Sequence, residues 1–199
     1  MFAAIPPRQQ AGCEPFAYWE NFLTAEDILQ LLNLAQWQQL QQGSIGINDK
    51  HTVTPDIRRN QTAWLIPCEK TKHIWDKIIN AIAEVNRTYF YYDLTGCYEP
   101  AQLSLYLGSE QAHYNWHIDC SEKTNSTPRK LSMSLLLSDP ADFQGGELQI
   151  KVAGDEVTSV EQAKGRAWFF PSYMLHRVAP VTKGVRRSLV LWVGGPPFR

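Results

Sequence analysis

The second half of the chain is a succession of short apolar runs broken by turn residues, and this pattern restricts the fold more than any other feature. From Cys97 onward, "QLSLYLG", "WHIDCS", "RKLSMSLLLS", "GELQIKV", "RAWFFP" and "RRSLVLWVGG" are each bounded by Gly, Pro, Asp or Ser, which is how short strands read. No helical pattern lies between them. That excludes a βαβ sheet and predicts two packed antiparallel sheets, a sandwich or jelly roll. The first half reads differently. From Thr24, "TAEDILQLLNLAQWQQLQQG" opens on a capping residue and early acids, places Ile28, Leu31, Leu32, Leu34 and Trp37 at helical spacing, and ends on Gly43, predicting one amphipathic helix. A second helix is predicted for "EKTKHIWDKIINAIAEVNRTYF", through Ile74, Ile78, Ile79, Ile82 and Val85, with His73 on its polar surface. Between the two, "GSIGINDKHTVTPDIRRNQTAWLIP" reads as a loop, a candidate substrate loop, that enters a strand near Thr62 to Ile66. At 199 residues and 44% hydrophobic, the chain can bury a core of its own. The expected organisation is one domain over 1–199, with helical support over about 1–95 and a jelly-roll core over about 96–199.

Charge narrows the partners. Lys and Arg total 19 against 20 acids, a net charge of −1, so no general attraction draws the chain to nucleic acid or to an anionic membrane. Any charged-ligand site must be local. Trp116 and Trp168 then read as core or pocket wall, because no basic groove accompanies them as a stacking platform would require. Cys13, Cys68, Cys97 and Cys120 are scattered without a disulfide framework, predicting free thiols in a reducing compartment. "MFAAIPPRQQ" lacks the basic region of a signal peptide and no apolar run reaches spanning length, so the expected location is the cytoplasm. Nothing in the sequence bears on oligomeric state.

One strand carries a pair that demands a partner. In "YNWHIDCS", His117 and Asp119 are two apart, so in a strand they project from the same face. His176, far downstream in "FFPSYMLHRVAPV", can complete the group across a closed double sheet. Two imidazoles and one carboxylate leave three of six octahedral positions open, the facial arrangement of non-haem Fe(II) oxygenases. A site closed by four protein ligands, as in structural zinc, could not take a co-substrate and O2 together. A cation follows: Arg186 starts a strand on which Ser188, Val190 and Trp192 share its face while Arg187 points the other way. A guanidinium there, with the Ser188 hydroxyl nearby, suits the carboxylate of a dicarboxylate co-substrate. His113 reads as loop or outer support and His51 as a loop residue. Arg58 and Arg59 read as solvated charges, or one of them as a substrate-side contact. "FQGGEL" reads as a tight turn between strands, and "SEKTNSTPR" as a polar flap.

Through "YNWHID", "RKLSMSLLLSDPADFQGGEL", "GRAWFFPSYMLHRVAPVTKGVRRSLVLW" and "GPPFR", the chain resembles the Fe(II)/2-oxoglutarate-dependent dioxygenases of the prolyl-hydroxylase-like, PKHD-type group. "DIRRNQTAWL" and "NRTYFYYDL" extend the resemblance upstream, so it runs from about the first helix onward. It implies a mainly β fold with N-terminal helices, a double-stranded β-helix of the cupin-like jelly-roll kind. It implies Fe(II) held by His117, Asp119 and His176, and 2-oxoglutarate paired through its distal carboxylate with Arg186. With O2, such a site hydroxylates an unactivated C–H bond and releases succinate and CO2. Tyr106 and Tyr114 resemble tyrosines that line this pocket, and Trp192 a residue of its wall. The implied substrate is an amino-acid, peptide or protein side chain, prolyl first, and retention of the carboxylate ligand Asp119 disfavours halogenation. Competing readings are a cupin-like metal-binding protein or isomerase, which has no need of Arg186, an oxygenase of another small molecule, and an inactive relative serving as an interaction module. Nucleic-acid demethylation is disfavoured by the balanced charge.

Overall fold

The structure is a computed structural model and describes residues 15–47, 50–120 and 128–197. The amino-terminal decapeptide, Cys13, the centre of the "SEKTNSTPR" segment and the last two residues of "GPPFR" lie outside the described residues, as does the side chain of His51. In chain order come β1 (Ala17–Trp19), α1 (Ala25–Leu32), β2 (Gln41–Gln42), β3 (Ile45–Ile47), β4 (Lys50–Thr52), β5 (Arg58–Arg59), β6 (Gln61–Leu65) and α2 (Lys72–Val85). There follow β7 (Ala101–Leu107), β8 (His113–His117), β9 (Arg129–Leu136), β10 (Phe143–Gly145), β11 (Leu148–Lys151), β12 (Val157–Ser159), β13 (Ala167–Pro171), β14 (His176–Val178) and β15 (Val181–Gly194).

The strands form an antiparallel jelly roll. A major sheet runs β1-β13-β9-β15-β7-β6-β2, with β10 also on β15, and a minor sheet runs β12-β11-β14-β8-β5. The amino-terminal half enters both: β6 pairs with β7 and β5 with β8. Three central strands of the major sheet alternate in the same sense. β9 sets Leu131, Met133 and Leu135 against Ser132 and Ser134, β7 sets Leu103 and Leu105 against Gln102, Ser104 and Tyr106, and β15 sets Leu189, Leu191 and Val193 against Ser188 and Trp192. Strand period two sends each set to its own face. The apolar face packs under Ile28 and Leu31 of α1 and Ile74, Ile78, Ile82 and Val85 of α2, where each fully buried aliphatic side chain contributes roughly 1.5–3 kcal/mol. The other face, rich in serine, looks toward the minor sheet.

The first helix is shorter than its apolar pattern predicts. Thr24 and Asp27 form a capping box at its start, but α1 stops at Leu32, and the Asn33 N–H bonds back to Leu29 O (3.0 Å) and Gln30 O (3.2 Å). A 3-10 turn, Ala35–Gln38, follows, and the Trp37 indole N–H donates to Leu31 O at 2.8 Å, taking up a carbonyl that a longer helix would have used. Leu34 and Trp37 thus reach the core from a turn, and Gln41–Gln42 pair with β6. The second helix matches its pattern except at Ile79, which is exposed. The strand expected near Thr62 to Ile66 is β6. The glycines of "FQGGEL" do turn the chain, at φ +75 for Gly145 and +68 for Gly146, but they carry it from β10 on the major sheet to β11 on the minor one rather than closing a hairpin. Among the described residues no helix is long and apolar enough to cross a membrane.

Candidate metal centre and carboxylate pocket

His117 ends β8 and His176 begins β14, and the two residues face each other directly in the antiparallel register. Asp119 lies beyond the end of β8, not within a strand as expected. Its backbone N–H and that of Cys120 donate to Ser172 O, at 2.8 and 3.0 Å, so the segment leaves the minor sheet and rests on the loop after β13. The three side chains still converge: one ligand atom from each of His117, Asp119 and His176 lies within 4.8 Å of the others. His117 Nε2 is 3.7 Å from Asp119 Oδ1, and His176 Nε2 is 3.4 Å from Oδ2.

The imidazoles are held in one tautomer. His117 Nδ1 bonds Asn115 O at 2.8 Å and His176 Nδ1 bonds Met174 O at 2.9 Å. A carbonyl only accepts, so each Nδ1 carries the proton and each Nε2 presents its lone pair to the centre. Burial, with the neighbouring His176, pulls the His117 pKa to about 3, so its ring is neutral at ordinary pH. Burial pushes the Asp119 carboxyl up, but the two imidazoles and the Ser132 hydroxyl outweigh it and hold the group below the usual carboxylate range. Two imidazole nitrogens and one carboxylate oxygen are the donor set that suits a divalent ion such as Fe(II) with open positions.

Tyr114 stacks on His117, with centroids 3.6 Å apart and planes 13° apart. Strict alternation would put residues three apart on opposite faces. A bulge corrects this: His176 pairs with His117 and Val178 with Tyr114, so two residues of β8 oppose one of β14. The same bulge separates His113, whose ring nitrogens meet Gln111 O at 2.9 Å and Asp56 O at 3.3 Å, outside the triad. His73 pairs with Asp27 at 3.4 Å. Trp116 is half-buried beside Arg177 and Lys151, 4.7 and 5.6 Å from its ring, and is not a core residue.

On the serine-rich face of the major sheet, Arg186 is 3% exposed and is paired in register with Tyr106, its guanidinium carbon 5.4 Å from that ring. Nη1 donates to Ser188 Oγ at 3.0 Å, while the buried Nε has no hydrogen-bond partner among the described residues. No carboxylate pairs with it there either. A buried cation without an anion is costly, and this one is given room: a Cβ on Gly146 would come within 2.8 Å of Arg186 Cδ. The pocket's chemistry suits a carboxylate, which a buried guanidinium can hold by charge-assisted hydrogen bonds. Trp192 is buried on the same face, 3.9 Å beneath the Arg129 guanidinium and 6.4 Å from Trp64. Arg187 points to the opposite side, toward Trp37 at 5.7 Å.

Of the two arginines read as solvated charges or as one substrate-side contact, Arg58 lies at the site, and Arg129, Ser132 and Ser172 join it without having been marked in the sequence. Arg58 is no solvated charge: pairing of β5 with β8 buries it over Tyr114, 4.5 Å from the ring centre, and it donates to Asn60 Oδ1, Ser44 O and Gln102 Oε1 at 2.8–3.0 Å. Arg59 donates to Glu110 O. Arg129 is ion-paired with Glu99 and donates to Asp119 O at 3.3 Å. Ser132 and Ser172 are both fully buried, Ser132 donating to Asp119 Oδ2 and Ser172 Oγ lying 2.9 Å from Ser132 Oγ. The alternation of serine with large apolar residues in "RKLSMSLLLS" is the signal that could have placed Ser132 on a polar interior face.

Residues 101–194, which contain the triad and Arg186, match the family model of the 2OG-Fe(II) oxygenase superfamily. A PKHD-type hydroxylase of Psychrobacter sp. (strain PRwf-1) is 39% identical over 85 residues, 40% of this chain and 32% of that protein. The chain thus spans about a third of the length of this curated relative. Among solved structures, a prolyl hydroxylase from Trichoplax adhaerens, in complex with a hypoxia inducible factor oxygen degradation domain peptide fragment, superposes with a TM-score of 0.72 at 24% identity, covering 90% of this chain and 83% of that one. A Pseudomonas putida prolyl-4-hydroxylase gives a TM-score of 0.68 at 23% identity, covering 90% and 92%. Both likenesses establish the oxygenase jelly roll as the fold. The superfamily takes Fe(II), 2-oxoglutarate and O2, and the donor set and the unpaired Arg186 fit the first two.

Proposed function

We propose that the chain is an Fe(II)- and 2-oxoglutarate-dependent hydroxylase of an amino-acid or peptidyl side chain, prolyl first. The observation that carries this reading is the buried Arg186, without a direct ion pair among the described residues, on the interior face that also meets a two-histidine, one-aspartate group. A cupin-like isomerase gives no reason for such a cation. His117, Asp119 and His176 hold the metal through Nε2, one carboxylate oxygen and Nε2. Arg186 and Ser188 bind the distal carboxylate of the keto acid, as a charge-assisted pair. Tyr106 lies beside them. Burial raises its pKa despite nearby Arg186, so it stays a neutral O–H donor. When bound, iron and the keto acid together supply the chemistry: O2 oxidises 2-oxoglutarate to succinate and CO2, placing one oxygen atom in succinate and the other in the substrate C–H bond. Tyr114 holds the plane of the His117 ring, and Trp192 walls the interior from solvent.

Prolyl choice is supported by solved neighbours that are prolyl hydroxylases, one of them with a peptide bound. The test is succinate formation from 2-oxoglutarate with Fe(II), compared across proline-containing peptides, free proline and other amino acids. Peptide stimulation with a mass gain of one oxygen on proline is the expected result. Stimulation by a non-amino-acid small molecule alone would overturn the substrate class.

A further inference from the structure

We infer that the buried hydroxyl pair Ser132–Ser172 is the device that fixes the Asp119 carboxylate against the two histidines. The inference rests on the iron-site reading above and deepens it. The two imidazoles come from a single cross-strand pair, His117 opposite His176, so the ladder of the minor sheet sets their separation. The carboxylate has no such support, because Asp119 lies past the end of β8. What fixes it belongs to the major sheet. Its backbone N–H is tied to Ser172 O, and its Oδ2 accepts from Ser132 Oγ at 2.7 Å. Ser132 Oγ is in turn 2.9 Å from Ser172 Oγ.

The proton count gives the chain a direction. Ser132 has one hydroxyl hydrogen and an ionised carboxylate can only accept, so Ser132 donates to Asp119 and Ser172 donates to Ser132. Both serines are wholly buried, at 0% exposure, so no water competes for these bonds. Ser132 lies on the interior face of β9, opposite Trp192 of β15, while Ser172 is tied to the same strand by its N–H donating to Lys130 O at 2.9 Å. Carboxylate, hydroxyls and strand therefore move as one body. With Oδ2 held by a hydroxyl, the carboxylate keeps one orientation toward the two Nε2 atoms, as outer-shell partners of ligating carboxylates do. Ser132 and Ser172 are thus positioning residues that act through Asp119.

The test is metal binding itself, without turnover. Fe(II) affinity under anaerobic conditions and the visible spectrum of the Co(II) form are measured for the wild type, Ser132→Ala, Ser132→Thr and Ser172→Ala, with circular dichroism to verify folding. Ser132→Ala is expected to weaken metal binding roughly 10- to 100-fold, the range typical of losing an outer-shell partner, and to change the Co(II) spectrum as the carboxylate reorients. Ser132→Thr, which keeps the hydroxyl, should restore both, and Ser172→Ala should show a smaller shift of the same sign. A folded Ser132→Ala protein with unchanged affinity and spectrum would overturn the inference. If Ser132→Ala does not fold, an unchanged affinity and spectrum in Ser172→Ala would overturn it instead. A wild-type protein that binds no divalent metal would sink the iron-site reading, a distinct outcome.

Discussion

His176 and His117 stand opposite each other in adjacent antiparallel strands with their ring centroids 4.1 Å apart. Each supplies one of only two ring nitrogens at the centre, so removing either leaves a two-ligand site. His176→Ala should lower Fe(II) affinity by more than the roughly 10- to 100-fold expected for an outer-shell partner, and should abolish 2-oxoglutarate turnover. Iron content after anaerobic loading checks this. Full occupancy without His176 would show that the ligand set is wrong.

Arg186 and Arg187 make a matched pair of tests, because they are neighbours in sequence on opposite faces of β15. Arg186→Ala removes the buried cation, and losing a charge-assisted contact of about 1.5–3 kcal/mol should weaken 2-oxoglutarate binding roughly 10- to 150-fold. Arg187→Ala, on the helix side, should change it little. Titration of the co-substrate against both variants decides, and the reverse ranking would contradict the register of β15.

Gly146 offers an independent approach to the same pocket. Its φ is +68, and an added Cβ would lie 2.8 Å from both Arg186 Cδ and Val181 Cγ2. Gly146→Ala should cost about 1–2 kcal/mol of stability from the left-handed backbone alone, and should also weaken 2-oxoglutarate binding by displacing the guanidinium. A variant with lowered thermal stability but wild-type co-substrate affinity would mean that Arg186 has more freedom than its packing indicates.

Asp27 joins the two helices: its Oδ2 accepts from the Thr24 N–H (2.6 Å) and Lys77 Nζ (2.6 Å). Burial pushes the carboxyl up, but the bonds from Lys77 and Thr24 outweigh it and hold the pKa below the ordinary value. A depressed carboxyl stabilises the fold above its unfolded pKa of about 3.9 and loses that contribution as pH falls through the folded value. Asp27→Ala should therefore cost about 2 kcal/mol at neutral pH, and Asp27→Asn should flatten the acid limb of a plot of stability against pH. Denaturant unfolding across pH 2–7 reads both, and an unchanged acid limb in Asp27→Asn would place the acid sensitivity elsewhere.

Much of this arrangement was legible before any coordinates. His117, Asp119, His176 and Arg186 stood out because their chemistry is out of place in apolar strands. The inward set Arg186, Ser188 and Trp192 followed from strand period alone. Tyr114 was harder: its stacking on His117 depends on a bulge defined by the pairing of β8 with β14, and no local residue announces which strand will be the partner. Asp119 was assigned to the right place by the wrong route, since tertiary bonds to Ser172 do what the strand was expected to do. Arg58 could be read as solvated or as a substrate-side contact, because the sequence cannot say that a two-residue strand will lay it over Tyr114. The overlong first helix fails for a similar reason: Trp37 contributes more by packing from a turn than by continuing the helical stripe.

The two-faced strands of the major sheet make it a partition. On one side Leu103, Met133 and Leu191 are committed to the helices, and on the other Ser104, Ser132 and Ser188 meet the reaction chamber. Because alternate residues of one strand answer to separate demands, the chamber can be relined, residue by residue, while the foundation beneath it stays untouched. A scaffold divided in this way separates the side chains that secure folding from those that face the interior, so that the two sets answer to different selective pressures on the same strands.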